Sequence, residues 1–500
     1  MLVAGPVAAE VQSAPQADDQ AATGSSSGED TAPNPDAPAP TRAPETRSEI
    51  ERALDLVRRE HEELSARIGD AEPTGEQRTK LQDLAILVRT LEEKLQTLRE
   101  VEEQEAAAAG DSFRGRLMRV RSALLDATRY DLKDGMSRFS LGVRLQLDAT
   151  SGNEDAQLEA DVGEIPNSFK FRRGRVFVQG RLLRTLDFKV EYDFAADQGV
   201  KDAYLEGTRW TKFFKWRIGH FKEPFSLARQ TSSYQIGFIE WALPAPTFSP
   251  GRSLGLMLRH SEFKQRLFWA FSATTAGKTT DDNRSNADIS FTGRLTGLPV
   301  MRDKGRRLVH FGISATVRDS SDDAGQFSTR PEARFAPFFA DTGSIEADGS
   351  TLTALEFAAV FGPTWVQAEW FRAVTESTQD GDLEFDGAYV EVGWFLTGEH
   401  RFYVTEEAAF GRLTPTRLFR GGNPFRKKGS EGGGALELVG RVSTTDLTDG
   451  PVQGGELHNF SLGMNWYLSQ VNRVALNYIH SYLIDSGRAN TVILRYQYNP

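Results

Sequence analysis

RFSLGVRLQLD (138–148) and LDFKVEYDF (186–194) decide how the rest of this chain is read. In the first, Phe139, Leu141, Val143, Leu145 and Leu147 point one way and Ser140, Gly142, Arg144, Gln146 and Asp148 the other, because successive side chains alternate along a strand. In the second, Leu186, Phe188, Val190, Tyr192 and Phe194 oppose Asp187, Lys189, Glu191 and Asp193. One face is apolar and the other charged. The alternation recurs near 203–208, 254–260, 267–273, 289–295, 309–317, 388–395, 436–442, 460–467 and 492–498, giving about sixteen runs from Arg138 onward. Runs of this length predict an all-β transmembrane barrel of about sixteen antiparallel strands, with lipid outside and water inside. A soluble sandwich also alternates, but with far fewer strands per domain.

Composition agrees with that reading. No run approaches the ~18 consecutive apolar residues of a spanning helix, so strands alone can cross lipid. The 500 residues contain no cysteine, which removes disulfides, thiolate metal sites and cysteine nucleophiles. A net charge of −11 argues against a nucleic-acid partner.

Upstream of the strands the pattern differs. Residues 1–10 end in small side chains and read either as the tail of an export signal or as an ordinary flexible terminus, and 11–47, rich in Ala, Pro, Ser, Gly and Asp, read as a disordered linker. From Ile50 a heptad seam runs through Leu54, Val57, Leu64 and Ile68, with His61 in the remaining slot. After Pro73 and Gly75 a second seam runs Leu81, Leu84, Val88, Leu91, Leu95 and Leu98. The expected organisation is therefore signal remnant and linker (1–47), α-helical coiled coil (48–106), connecting segment (107–136) and barrel (137–500). Neither helix is stable alone, so a helical hairpin or a bundle between copies is expected, and His61 reads as a register-setting polar residue.

If the first strand rises from the periplasm, the long connections 150–168, 222–252, 319–350 and 445–456 are external, and tight ones at 180–183, 362–363 and 468–472 are periplasmic. The third external connection, FKEPFSLARQTSSYQIGFIEWALPAPTFSPGR (221–252), carries too many bulky side chains for a solvated loop. It is expected to pack against the inner wall, making Lys222, Glu223, Arg229, Glu240 and Arg252 candidates for a constriction; a loop that caps the rim or forms a subunit contact is the alternative. One long connection, 398–431, falls on the periplasmic side and is basic: Arg401, Arg412, Arg417, Arg420, Arg426, Lys427 and Lys428. Such a ring at a pore mouth raises the local anion concentration, and a solvated loop touching lipid phosphate is its plainer alternative.

Strand parity puts Arg144, Arg173, Arg175, Lys189, Arg217 and Arg259 in the lumen, together with Arg294, Arg441 and Arg495, offset by acids such as Asp148, Asp187, Glu191, Asp193, Asp202, Glu206, Glu369 and Glu437. No phosphate loop, zinc spacing or nucleophile motif occurs, so neither a cofactor, a metal nor an enzymatic activity is expected. His310 and Ser314 share a strand face, a spacing common by chance.

RRGRVFVQGRLLRTLDFKVEYDFA (172–195), RIGHFKEPFSLARQTSS (217–233), FIEWALP (238–244), PGRSLGLML (250–258), VQAEWFRA (366–373), GWFLTGEHRFYVTEEAAFGRLTPTRLF (393–419) and FSLGMNWYLSQVNRVALNYIH (460–480) together resemble the phosphate-selective porins of the O and P type. The resemblance implies a trimeric sixteen-stranded barrel in the outer membrane. It further implies a third loop folded inward from the Phe221–Pro224 motif, lumen arginines at Arg173 and Arg175, and a basic vestibule from Arg401 to Lys428. Two differences stand out: acids and bases are about equal by parity, and the chain ends Tyr498-Asn499-Pro500 where such barrels finish on an aromatic. The expected function is passive diffusion of small hydrophilic solutes, anions such as phosphate above all. The alternative is a structural anchor whose periplasmic coiled coil tethers the outer membrane to peptidoglycan or another envelope component.

Overall fold

In a computed structural model the described residues are 47–68, 74–108, 129–131, 137–196, 199–207, 213–275, 289–319, 324–421 and 432–500. The signal remnant, the linker up to residue 46, most of the connecting segment, and Arg426, Lys427 and Lys428 lie outside them. The chain divides into two compact units, 1–119 and 120–500.

In the first unit, α1 (Arg47–Ile68) and α2 (Gly75–Ala108) pack against each other. Thr74 opens α2 with a reciprocal cap: its N–H donates to the Gln77 side chain at 2.9 Å, and its hydroxyl accepts from the Gln77 N–H at 3.4 Å. Leu54, Val57, Leu84 and Leu95 are buried. Arg58–Glu92 (2.5 Å) and Lys80–Glu60 (3.0 Å) cross the antiparallel pair, though exposed ion pairs add little to stability. No described helix is long and apolar enough to cross a membrane.

The second unit is a closed antiparallel barrel. Its sheet has 18 strands, two of them the short segments Arg129–Asp131 and Ala324–Gly325, and the other sixteen make the wall. These are β1 (Arg138–Glu154), β2 (Ser168–Leu182), β3 (Leu186–Asp193), β4 (Val200–Gly207), β5 (Lys215–Lys222), β6 (Arg252–Glu262), β7 (Leu267–Thr275) and β8 (Ile289–Arg302). There follow β9 (Arg307–Asp319), β10 (Ile345–Phe361), β11 (Thr364–Ser377), β12 (Gly381–Phe395), β13 (Ala435–Asp449), β14 (Val452–Tyr467), β15 (Asn472–Leu483) and β16 (Gly487–Tyr498). Each pairs with the next, and β16 returns to β1 in a register running from Leu145↔Tyr498 to Glu154↔Ala489.

Burial follows the two-residue period. Val190, Tyr192, Leu254, Leu256, Phe291, Leu295, Val390, Val392, Val442, Leu462, Val492 and Leu494 are exposed on the outside, while the residues between them face inward. An apolar surface of that extent is costly in water and suits lipid.

At the end holding residues 138 and 498 the connections are short, except 396–434 between β12 and β13. At the opposite end, 223–251 and 320–344 are long. Two expected connections move. Residues 445–456 form no long loop: β13 and β14 run on and turn at 450–451, where Gly450 supplies a left-handed φ of 53°. Gly180 is not a turn residue but lies in β2 opposite Phe139, where a Cβ would sit 2.2 Å from the Arg138 carbonyl oxygen; the turn falls at 183–185. Glycine there permits close approach of two strands.

Candidate permeation site inside the barrel

The connection 223–251 folds into the lumen because its apolar residues find the inner wall and its backbone finds polar partners there. Phe225, Phe238 and Ile239 are fully buried. Ser226, at φ 63°, turns the chain into the short helix α3 (Leu227–Gln230), whose first N–H groups, of Leu227 and Ala228, donate to the Glu369 carboxylate at 2.9 and 2.8 Å. Farther along, Arg473 donates to the Ile236 and Gly237 carbonyls (2.8 and 3.0 Å), Arg495 to that of Ile239 (2.5 Å) and Arg441 to that of Glu240 (3.1 Å). Three lumen arginines are thus engaged in holding the loop.

The connection 320–344 also turns inward. Glu332, at φ 53°, is buried against β13 and β14, accepting from Arg441 (2.5 Å), Ser443 (2.6 Å) and Ser461 (2.7 Å). The Thr329 hydroxyl donates to the Leu243 carbonyl at 3.3 Å, tying the two loops together.

A third segment enters from the other end. Tyr403–Val404 pairs with Ala409–Phe410 in a small hairpin. Arg294 donates to the Ala408 carbonyl at 2.8 Å, and the Tyr403 hydroxyl lies 2.9 Å from His310 Nδ1. His310 Nε2 meets Glu356 at 3.1 Å, and Ser314 accepts from the Ser226 N–H at 3.2 Å, so this pair positions loops. Arg401, expected at an open vestibule, is instead buried: its guanidinium is stacked on Trp365 (3.9 Å) and Phe410 (3.8 Å), with a hydrogen bond to Gln367 (3.0 Å) and Glu391 at 3.7 Å. Arg412 is half-buried and donates to the Pro500 carbonyl at 2.8 Å, Arg417 is half-buried, and Arg420 is exposed.

The wall from β1 to β6 carries the remaining charge. Arg144 pairs with Glu191 (2.7 Å), Arg175 with Glu191 (2.9 Å) and Asp193 (2.8 Å), Lys189 with Glu191 (3.2 Å) and Asp202, and Arg217 and Arg259 with Glu206 (2.7 and 2.6 Å). The partners are unequally exposed: 17% against 1% for Arg144–Glu191, 17% against 5% for Arg217–Glu206, and 16% against 1% for Lys189–Glu191. In these three pairs the shorter carboxylate lies at the wall and the longer base covers it. Equal numbers of acids and bases therefore present an unequal surface to the lumen.

Of the expected constriction residues, Lys222, Arg229 and Arg252 gather at the root of the inward loop. Lys222 donates to the Arg229 carbonyl (2.5 Å) and Arg252 pairs with Asp202 (2.8 Å). Burial and the nearby Arg252 charge lower the Arg229 guanidinium to about 10, which leaves it cationic at neutral pH. Glu223 does not belong to that group: it is turned into the wall, accepting from Ser253 and Thr292 at 2.6 Å each. Glu240 is no free acid at a constriction either, because Arg172 (2.7 Å), Arg495 (2.7 Å) and Arg173 (3.7 Å) surround it. Burial pushes its carboxyl up, but those three cations outweigh burial and hold it well below the usual range.

Arg172, Arg318, Arg330 and Glu332 were not among the candidates. Parity sends Arg172 outward beside inward Arg173, but the register jumps from Gln146↔Arg173 to Leu147↔Phe171 and leaves Arg172 as the extra residue of a bulge. The bulge turns both arginines inward.

The sequence matches the family described as phosphate-selective porin O and P over residues 139–499. An uncharacterized protein of Caulobacter vibrioides is 26% identical over 355 residues, 69% of this chain and 68% of its own. Porin O of Pseudomonas aeruginosa is 23% identical over 374 residues, 68% of this chain and 82% of its own. Among solved structures, an anion-selective porin from Comamonas acidovorans aligns with 72% of this chain and 99% of its own at 14% identity and a TM-score of 0.45. With the family match running from the first barrel strand past the last, and so over well more than half of its length, this chain belongs to the phosphate-selective porin O and P family.

Proposed function

We propose that this outer-membrane porin conducts small hydrophilic anions, phosphate among them, by passive diffusion. The observation that carries the reading is the layering of charge on β1–β6, with carboxylates at the wall and guanidinium and ammonium groups over them. A passing ion meets the outer layer first, and in a low-dielectric channel that layer sets the sign of the preferred ion. Arg172, Arg229 and Arg252 would form a cationic ring, and Arg412, Arg417 and Arg420 a periplasmic mouth.

A homotrimer is part of the proposal. β3, β4 and β5 are 8 residues each. At ~3.3 Å per residue and a tilt of ~40° they cover about 20 Å, less than the ~25 Å apolar band, so protein suits that face better than lipid. The helical pair would lie in the periplasm and associate with its copies or with peptidoglycan. One observation favours the anchor reading: three segments enter the lumen, and two of them touch through Phe410 and Thr231.

The test is the full-length protein in a planar bilayer under a potassium chloride gradient, followed by added phosphate. A reversal potential on the chloride side and a phosphate-dependent block support the anion channel; a cation-selective or unselective current overturns it, and no current favours the anchor.

A further inference from the structure

Most arginines near the constriction have a carboxylate partner: Arg172 binds Glu240 through two N–H groups (2.7 and 3.0 Å), Arg252 meets Asp202 and Arg318 meets Glu223. Arg229 and Arg330 differ in the same two ways. Neither has an ion pair among the described residues, and the buried Nε of each lacks a hydrogen-bond partner. Each also lies over an aromatic ring, Arg229 at 4.5 Å from the Trp241 centroid and Arg330 at 3.8 Å from that of Phe338.

The rings are held from the two inward loops. The Trp241 indole N–H donates to the Ala228 carbonyl at 3.0 Å, and Arg330 reaches the Ala336 carbonyl beside Phe338. The Thr329–Leu243 bond joins the loops. Arg172 is close enough to influence both unpaired guanidiniums. On the same side, Phe335 lies 5.3 Å from the Lys170 ammonium. Phe338 is 42% exposed and Trp241 half-buried, so ring surface is accessible beside the two guanidiniums.

A guanidinium resting on a ring has lost water from one face but keeps its in-plane N–H edge, where a carboxylate binds through two parallel bonds. Apolar ring surface beside that edge rewards a ligand with its own flat apolar body and penalises one that is hydrated all round, as inorganic phosphate is. We propose that the entrance formed by Arg229, Trp241, Arg330 and Phe338 is a binding site for planar aromatic carboxylates, which the channel takes up in preference to aliphatic ones. The site rests on the anion-channel reading and adds to it a substrate class that charge layering alone does not specify.

The experiment uses the full-length protein in a planar bilayer with potassium chloride on both sides, titrated with benzoate, acetate and cyclohexanecarboxylate. Benzoate is expected to block at about tenfold lower concentration than the other two, the margin that stacking on a desolvated cation supplies. Phe338→Leu, at an exposed position, and Arg330→Gln are expected to bring the benzoate-to-acetate ratio close to one, while Phe169→Leu on the outer face of β2 keeps it. Equal block by the three acids in a channel that remains chloride-selective overturns the aromatic site and leaves the anion channel standing. A wild-type current that is absent or cation-selective overturns both.

Discussion

The Phe410 backbone N–H donates to the Thr231 hydroxyl at 3.3 Å, joining a segment that enters the barrel from one end to a loop that enters from the other. The bond ties the position of the 403–410 hairpin to that of the inward loop. Thr231→Val keeps the shape and removes the acceptor, a loss of about 1 kcal/mol for one hydrogen bond, or more because the Phe410 N–H is left buried. Single-channel recordings are expected to show a noisier open level in Thr231→Val, and a severalfold larger conductance once residues 402–411 are replaced by a short glycine linker. An unchanged conductance in the linker variant would mean that the hairpin lies outside the ion path.

Glu240 is the point at which the inward loop meets three arginines. Because its folded-state value is lowered, its stabilising contribution is complete above the ordinary carboxylate range and fades only as pH falls toward the lowered value. Wild-type thermal stability, followed by the heat-dependent gel shift of the barrel, is therefore expected to be flat from about pH 8 to about pH 5 as far as this group is concerned. Glu240→Gln leaves Arg172 and Arg173 without a counter-charge and is expected to cost about 3 kcal/mol, with faster proteolysis within 223–251. A variant as stable and as protease-resistant as the wild type would show that the loop is held without this carboxylate.

Arg229→Gln and Arg252→Gln each remove one charge at the root of the loop. Each is expected to lower the chloride-over-potassium permeability ratio about twofold near 0.1 M salt and to have little effect near 1 M, where the Debye length is only ~3 Å. Reversal potentials at the two ionic strengths separate this from a steric effect, which salt does not screen.

In the helical unit, α1 and α2 pack together and Leu84 is buried. Leu84→Asp buries a carboxylate without a counter-charge and is expected to remove most of the far-ultraviolet helical signal of 47–108. The gel shift of the barrel is expected to remain, since each unit has its own core. Loss of both signals together would mean that the barrel needs the helices in order to fold.

The barrel was legible because its period is local: two residues along RFSLGVRLQLD suffice to see which face is greasy. The inwardness of 223–251 was legible for a related reason, since Phe238 and Ile239 demand a wall to pack on. What escaped depends on exceptions to the period or on distant partners. Arg172 faces the lumen through one bulged residue, which parity counting cannot see. Glu332 is a glutamate at positive φ whose partners, Arg441, Ser443 and Ser461, are 109 to 129 residues away. Arg401 was read as mouth-lining because basic runs are usually solvated, yet Trp365 and Phe410 supply rings on which its guanidinium stacks. Equal charge along the sequence concealed unequal depth, which follows from side-chain length once strands fix where each chain begins.

The seam between first and last strands also bears on biogenesis. Gln146 and Gln497, 351 residues apart, share a hydrogen bond across it at 2.9 Å, so the cylinder cannot be sealed until β16 has been delivered. Below Leu145, where β16 no longer reaches, the backbone of Arg129–Asp131 takes its place beside residues 138–140. Until both events occur, β1 offers a free margin of donors and acceptors to any neighbouring strand, and in lipid each unsatisfied group costs several kcal/mol. An insertion machine that holds this margin occupied until the C-terminal strand arrives would solve the problem, and a nascent chain stalled before Gly487 would remain bound to it as a trapped assembly intermediate.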